Sequence, residues 1–330
     1  MNEFSYHRAQ TLDDALSQVT PEGGRILAGG TTQLDLMKCN VEKPQRLIDI
    51  TRLPGLSDIF FSAQSIRFGA LVRMSELAAH PDCRNLAPVV YGSLWQAASP
   101  QIRNMATIGG NLRQRTRCVY FRDPETFSAC NKRHPGSGCA ALKGINRNHA
   151  ILGASASCVA VYPGDLAVAL TAFDARVILR NTAQRERSVP IGQFYQLPGT
   201  TPDKEHDIAP DEIIIAVEIP RVPALEHSYY LKVRDRASYE FAAASAAVGI
   251  ELDGRMIRDV HIALGGVATK PWRAVQVENA LRGKTFSEEN ISEAAQLVIA
   301  DARPLEHNHF KMVLAPKVIT RALLTAGGLS

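Results

Sequence analysis

The pattern of apolar and polar positions divides the chain into three parts with different periods. Leu12, Ala15, Leu16 and Val19 recur at helical spacing, with Thr11 placed to cap the helix and Asp14 three residues on as its capping-box partner. Pro21-Glu22-Gly23-Gly24 ends that helix, and the apolar strand Arg25–Ala28 runs straight into Gly29-Gly30-Thr31-Thr32. A second short helix and the strand Arg46–Ile50 complete a small α/β unit, residues 1–55.

From about Leu56 the strands become short and separated by turns, beginning with Ser65–Ala70. A helix is predicted around Ala87–Ala98, with Val89, Val90, Leu94 and Ala97 on its apolar side. The stretch Gln101–Leu112 is poor in strand formers, carries Gly109-Gly110 and reads as a functional loop. Residues 113–150 are rich in Arg, Lys, Cys, Gly and Pro and follow neither period. They form the body of an insertion, 113–158, held by something other than a hydrophobic core. Regular structure is expected again at His149–Ala154, Cys158–Tyr162, Asp165–Leu179 and the strand Ile213–Ile219, which closes a second unit at residues 56–221.

The last part, residues 222–330, has strands first and helices last. Tyr229–Val233, Phe241–Leu252 and Arg258–Leu264 read as strands, Ser287–Ala302 and Phe310–Ala326 as helices. That order predicts an α+β domain whose sheet is covered on one face. No solenoid period and no low-complexity tract is present.

Composition narrows the class. With 45% apolar and 21% charged residues in 330, the chain reads as a soluble globular protein of two or three packed units. A net charge of +4 is too small to argue for nucleic acid. No apolar run approaches the roughly 20 residues of a membrane span, and Met1–Arg8 lacks a signal-peptide pattern. By its own sequence the chain stays in the cytoplasm; export in folded form would require a partner that carries a signal.

The two glycine loops are the first candidate chemistry. Glycine lets backbone approach a ligand closely, and successive free N–H groups make anion-binding concavities. Ala28–Thr32 and Ala106–Asn111 can thus grip the two ends of a dinucleotide pyrophosphate. No G-x-G-x-x-G follows the first strand and no P-loop motif occurs, so Rossmann and P-loop folds are disfavoured. Plain turn formation is the competing reading of each loop.

Cys118, Cys130, Cys139 and Cys158 are the second, spaced C-x11-C-x8-C-x18-C within roughly 40 residues. A disulfide framework is unlike a cytosolic chain of this size. Four thiolates suit a structural zinc or a [4Fe–4S] cluster, and zinc sites usually contain a tight C-x2–4-C pair that is absent here. Gly136-Ser137-Gly138 suits a loop wrapped round a cluster and donating N–H groups to its sulfurs. Arg113, Arg115, Arg117, Arg122, Lys132, Arg133 and Lys143 would offset its negative charge. Buried inert thiols are the third reading, against which the segment's shortage of apolar residues counts. Cys39 and Cys83 lie in ordinary helical or turn contexts.

Ala28-Gly29-Gly30-Thr31, Ile108-Gly109-Gly110-Asn111-Leu112, Asp165-Leu166-Ala167 and Leu264-Gly265-Gly266-Val267-Ala268 occur in that order along nearly the whole chain. Together they resemble the FAD-binding subunits of the xanthine dehydrogenase family of molybdenum hydroxylases. The resemblance implies a two-part FAD-binding domain of the vanillyl-alcohol-oxidase type followed by a smaller C-terminal α+β domain. Two subgroups carry four cysteines in the same gap and hold a [4Fe–4S] cluster with them. One is the medium subunit of 4-hydroxybenzoyl-CoA reductase, the other the FAD subunit of bacterial periplasmic aldehyde oxidoreductase. Gln114–Cys118, Cys130–Leu142 and Lys232–Tyr239 look closer to the aldehyde enzymes.

On that resemblance, Leu27, Ala28, Gly29, Gly30, Thr31, Thr32 and Gln33 cradle the FAD pyrophosphate. Ala106, Thr107, Gly109, Gly110 and Asn111 hold its other flank. Asp165 accepts a bond from a ribose or ribityl hydroxyl, and Lys232 lies near the flavin ring. Without the resemblance, Asp165 is a helix N-cap and Lys232 a solvated strand residue. The implied assembly is a heterotrimer with a small [2Fe–2S] subunit and a large molybdenum-cofactor subunit, which can pair as a dimer of trimers. This chain has no catalytic residues of its own in that scheme. Export would follow a signal on the small subunit. A reductive benzoyl-CoA-type enzyme is the rival within the family. A zinc-stabilised nucleic-acid-binding module is the rival from another class, weakened because only Tyr120 and Phe121 in the basic stretch could stack on bases.

Overall fold

A computed structural model describes residues 1–19 and 24–329. Pro21, Glu22 and Gly23, expected to end the first helix, lie outside the described residues, and Gly24 already belongs to a strand. Three strands, β1 (Ser5–Arg8), β2 (Gly24–Leu27) and β3 (Arg46–Asp49), form a parallel sheet in the order β1-β3-β2. Parallel neighbours need crossovers, supplied here by the helices Leu12–Gln18 and Gln33–Lys38. Thr11 Oγ1 caps the first by accepting from Asp14 N–H at 3.0 Å; Asp14 in turn accepts from Gln10 N–H at 2.9 Å, one residue before the expected partner.

A second sheet is antiparallel throughout, in the order β4-β5-β8-β6-β7: β4 (Ile59–Phe61), β5 (Ser65–Gly69), β6 (Arg176–Asn181), β7 (Glu186–Pro190) and β8 (Glu212–Pro220). Four short helices follow β5, and the last three, Pro81–Leu86, Pro88–Trp95 and Pro100–Arg103, each open on proline, whose fixed φ suits a first helical turn. The expected run Asp165–Leu179 is a buried helix, Leu166–Ala172, followed by β6. Ile48 and Ile50 of the first unit pack on Leu71, Ile213 and Ile215 of the second, joining the two sheets through one apolar cluster.

The third sheet has the order β12-β11-β10-β9, with β9 (Ser228–Val233), β10 (Ala244–Asp253), β11 (Met256–Gly265) and β12 (Trp272–Arg273). Here the single-face expectation fails. Ala244, Ala246, Val248 and Ile250 face the helix Phe310–Ala326 and its neighbours, while Ala247, Ala263 and Tyr230 join the core of the middle unit. Helices 88–95 and 166–172 cover that second face, which is why β10 has so few polar positions. His149–Ala154 and Cys158–Tyr162, expected as regular structure, make only the isolated bridge Leu152↔Ala268. Among the described residues no helix is long and apolar enough to cross a membrane.

Phe68 on β5 is fully buried in the middle core. Phe68→Ala is expected to lower the unfolding free energy by about 3–5 kcal/mol, the cost of an aromatic-to-alanine cavity. Denaturant titration checks this, and a loss under about 1 kcal/mol would show that the core closes over the gap.

Candidate cofactor sites

The first glycine loop leaves the end of β2, where Leu27 O still accepts from Ile50 N–H at 3.0 Å. Ala28 starts the loop and Gly30 turns it with φ +71°. Among the described residues, the N–H groups of Gly29, Gly30, Thr31 and Thr32 find no acceptor in the protein. Gln33 opens the next helix with its Nε2 buried and unpartnered. Unsatisfied buried donors are rare in folded proteins and point to an absent acceptor.

The second loop is different from its expected form. Ile108–Leu112 is a short helix, capped by Thr107 Oγ1 accepting from Gly110 N–H. Ile108 N–H donates to Val72 O, Gly109 N–H to Ala70 O and Asn111 N–H to Thr107 O, so these groups are spent inside the protein. This loop therefore offers a ligand side chains rather than an N–H cradle: Asn111 Oδ1 is buried and unpartnered. The two loops touch. A Cβ on Gly29 would lie 2.0 Å from Met105 O and 3.0 Å from Ala106 Cα.

Asp165 and Lys232 meet each other. Lys232 Nζ lies 2.8 Å from Asp165 Oδ2, with 1% and 6% of the two side chains exposed. Tyr230 Oη donates to Asp165 Oδ1 at 2.7 Å, and Lys232 also donates to Gln96 O at 3.2 Å. Both simpler readings fail: Asp165 makes no side-chain cap bond, and Lys232 is not solvated. Burial pushes the Asp165 carboxyl up, against the pull of Lys232 and Tyr230. Each carboxylate oxygen retains one lone pair for a further donor.

Cys118, Cys130, Cys139 and Cys158 all line one small pocket, whose walls include Tyr120, Phe121, Lys132 and Ala141. Cys130 and Cys139 face each other across an isolated antiparallel bridge, and the turn between them uses Gly136 and Gly138 at φ +87° and +95°. All four cysteines are free thiols. Among the described residues, no three His, Cys, Asp or Glu side chains converge on a point that one metal ion could fill. Burial pushes the Cys118 thiol up to about 12 and raises Cys158. Such thiols stay protonated at neutral pH unless a metal displaces the proton.

Three expectations for the insertion are corrected. It does contain apolar residues that pack: Phe121 against Leu36 of the first unit, and Tyr120 against Ala141 and Val159. The N–H groups of Ser137 and Gly138 are spent on His134 O and Asn131 Oδ1 rather than left for sulfur. The basic residues are largely paired. Arg115 lies 2.6 Å from Glu42 and 2.5 Å from Glu205, Lys132 2.8 Å from Glu205, and Arg117 3.0 Å from Asp35, which Arg122 also contacts. Arg133 donates to the carbonyl of Phe121 at 2.8 Å. Asp235 pairs with Arg147 of the insertion at 3.0 Å. Burial alone would raise Glu205, but Arg115 and Lys132 outweigh it and bring the carboxyl down to about 2. Missed entirely from sequence were these acidic partners and His149, whose Nε2 lies 3.2 Å from Cys118 Sγ. Only proximity in the fold marks them.

The sequence model described as the FAD binding domain in molybdopterin dehydrogenase matches residues 2–222, and the CO dehydrogenase flavoprotein C-terminal domain matches residues 229–326. The chain is an FAD-binding medium subunit of the molybdenum hydroxylase family. It is 44% identical over 332 residues to the aldehyde oxidoreductase FAD-binding subunit PaoB of Escherichia coli K12, covering 99% of each chain. It is 29% identical to the glyceraldehyde dehydrogenase medium chain of Sulfolobus acidocaldarius, covering 92% of this chain and 89% of that one. The fold matches carbon monoxide dehydrogenase from Hydrogenophaga pseudoflava with a TM-score of 0.76 at 24% identity, covering 99% and 98% of the two chains. The medium subunit is thus part of an oxidoreductase. Its first loop carries unpaired N–H groups and the buried, unpartnered Gln33 Nε2, donors of the kind that a dinucleotide's phosphates accept from.

Gly29→Ala must push the two loops apart, because the atom in its way is backbone. The variant is expected to retain less than a tenth of the flavin of the parent by absorbance, and full flavin retention would contradict the loop contact. Glu205→Gln should cost about 3 kcal/mol, since it leaves buried cations short of a partner. The parent holds the full stability from this carboxylate above pH 4.5 and loses it as pH falls toward about 2. The Gln variant should lack that acid-side loss in pH-dependent denaturation.

Proposed function

We propose that the chain is the FAD- and [4Fe–4S]-carrying electron-transfer subunit of a heterotrimeric, molybdenum-dependent aldehyde oxidoreductase. The observation that carries this is the cavity lined by all four clustered thiols, in a chain 44% identical to an aldehyde oxidoreductase FAD-binding subunit. The large partner would convert an aldehyde and water to a carboxylic acid, releasing two protons and two electrons. Small-subunit [2Fe–2S] clusters would hand those electrons to this chain, whose residues would hold the flavin that passes them on to an acceptor. The bound flavin supplies the conversion between one- and two-electron transfer, and the chain's residues position and tune it.

In this reading Leu27–Gln33 holds the pyrophosphate on unpaired N–H groups, and Thr107 and Asn111 flank it. The Asp165–Lys232 pair meets hydroxyl and ring atoms, and Cys118, Cys130, Cys139 and Cys158 ligate the cluster. The division into 1–55, 56–221 and 222–330 belongs to the same reading, with the cluster loop inserted in the second unit. Thiols spread round a cavity suit a multi-iron core better than one tetrahedral zinc at about 2.3 Å from each sulfur. Arginines already engaged by Glu42, Glu205 and Asp35 are poorly placed to grip nucleic acid. Nothing in the geometry favours the reductive, benzoyl-CoA-type direction.

Affinity purification of the tagged chain from its native cell should bring down two further polypeptides, one with molybdenum and one with [2Fe–2S] clusters. In that assembly Cys130→Ala should remove about four irons per protomer and leave flavin in place. Unchanged iron content would take the thiol cavity out of the electron path.

A further inference from the structure

His149 is a buried histidine that the function described so far does not use. It is 5% exposed, its Nε2 lies 3.2 Å from Cys118 Sγ, and its Nδ1 is buried with no partner. A neutral imidazole carries one N–H, and the position of that proton decides what the sulfur meets. With the proton on Nδ1, a buried N–H would go unpaired and a nitrogen lone pair would face a metal-bound thiolate. With the proton on Nε2, the N–H donates to sulfur and only an acceptor is orphaned, the more tolerable defect.

The backbone that carries the ring is also held. His149 O accepts from Lys311 Nζ and from Asn308 Nδ2, each at 3.1 Å, and His149 N–H donates to Asn146 O at 3.0 Å. Asn146 Oδ1 accepts from His307 N–H at 3.0 Å, and Lys311 Nζ also donates to Gly266 O at 2.6 Å. Lys311 is 1% exposed and has no carboxylate within ion-pair distance among the described residues. Residues 307–311, which lead into the last helix, therefore fasten the backbone that carries the imidazole.

We infer that His149 is a positioning residue that sets the reduction potential of the one-electron centre held by the four thiols, by donating its Nε2–H to Cys118 while Lys311 and Asn308 hold it in register. The inference rests on the cluster reading above. A donor to a ligating sulfur stabilises the reduced centre, which carries one more negative charge, more than the oxidised one, and so raises the potential. The C-terminal domain thereby acts on the cluster without contributing a ligand.

The test uses the full-length chain purified without oxygen as parent, His149→Leu and His149→Gln, each assayed for iron and titrated by redox potentiometry with electron paramagnetic resonance. His149→Leu is expected to keep its iron and to shift the reduction equilibrium about tenfold toward the oxidised state, about 59 mV for one electron. His149→Gln, whose amide can still donate, should recover most of that shift. An iron-loaded Leu variant with the parent's potential overturns the inference, and so does loss of iron from both variants, which would make His149 a ligand or a structural element. An iron-free parent fails differently, since it removes the cluster reading itself.

Discussion

A single close contact, the Gly29 backbone against the carbonyl of Met105, brings the functional parts of this chain into one place. The first glycine loop leaves a strand of the first sheet, the second lies between two short helices of the next unit, and the short-helix region separates them in sequence. Only a residue without a Cβ lets them touch. The first loop carries unpaired N–H groups, and the second ends in a short helix bearing Asn111 with an unpartnered oxygen. The cysteine-bearing segment follows directly on the short helix Ile108–Leu112 that carries Asn111.

The insertion is placed by charge as much as by packing. Arg115 stands between Glu42 of the first unit and Glu205 of the second, and Arg117 and Arg122 both reach Asp35. Buried ion pairs of this kind cost desolvation that their attraction only partly returns. Their effect here is positional: they connect the loop to Asp35 and Glu42 of the first unit and to Glu205 of the second. Small apolar contacts, Phe121 on Leu36 and Tyr120 on Ala141, close the remaining sides. The third sheet completes the arrangement by sharing a face with the middle unit, and this brings Lys232 from β9 to Asp165.

Much of this was legible in the order of residues. A glycine pair soon after the apolar strand β2, four cysteines in a polar stretch and strands followed by helices in the last unit all survive in the structure, because each depends on local chemistry. What was not legible depends on distance. Asp165 and Lys232 were expected as separate flavin contacts, yet they form a pair across 67 positions. The arginines and lysines of the insertion read as counter-charges for a cluster, whereas most are paired to carboxylates at remote positions. Strand β7 was missed because only Val189 of its five residues is buried, which leaves no alternation to detect. The second glycine loop was expected to offer N–H groups, but the carbonyls of Val72 and Ala70 and its own short helix with its Thr107 cap take them.

The central claim is that one chain holds both a flavin and a multi-iron centre in adjoining sites. An anaerobic absorption spectrum of the purified chain, with flavin, iron and zinc assays on the same sample, tests it most directly. The account predicts flavin bands on a broad iron–sulfur shoulder, one flavin and about four irons per chain, and no stoichiometric zinc. Flavin with zinc and no iron would contradict it, leaving the fold intact and removing the second redox centre.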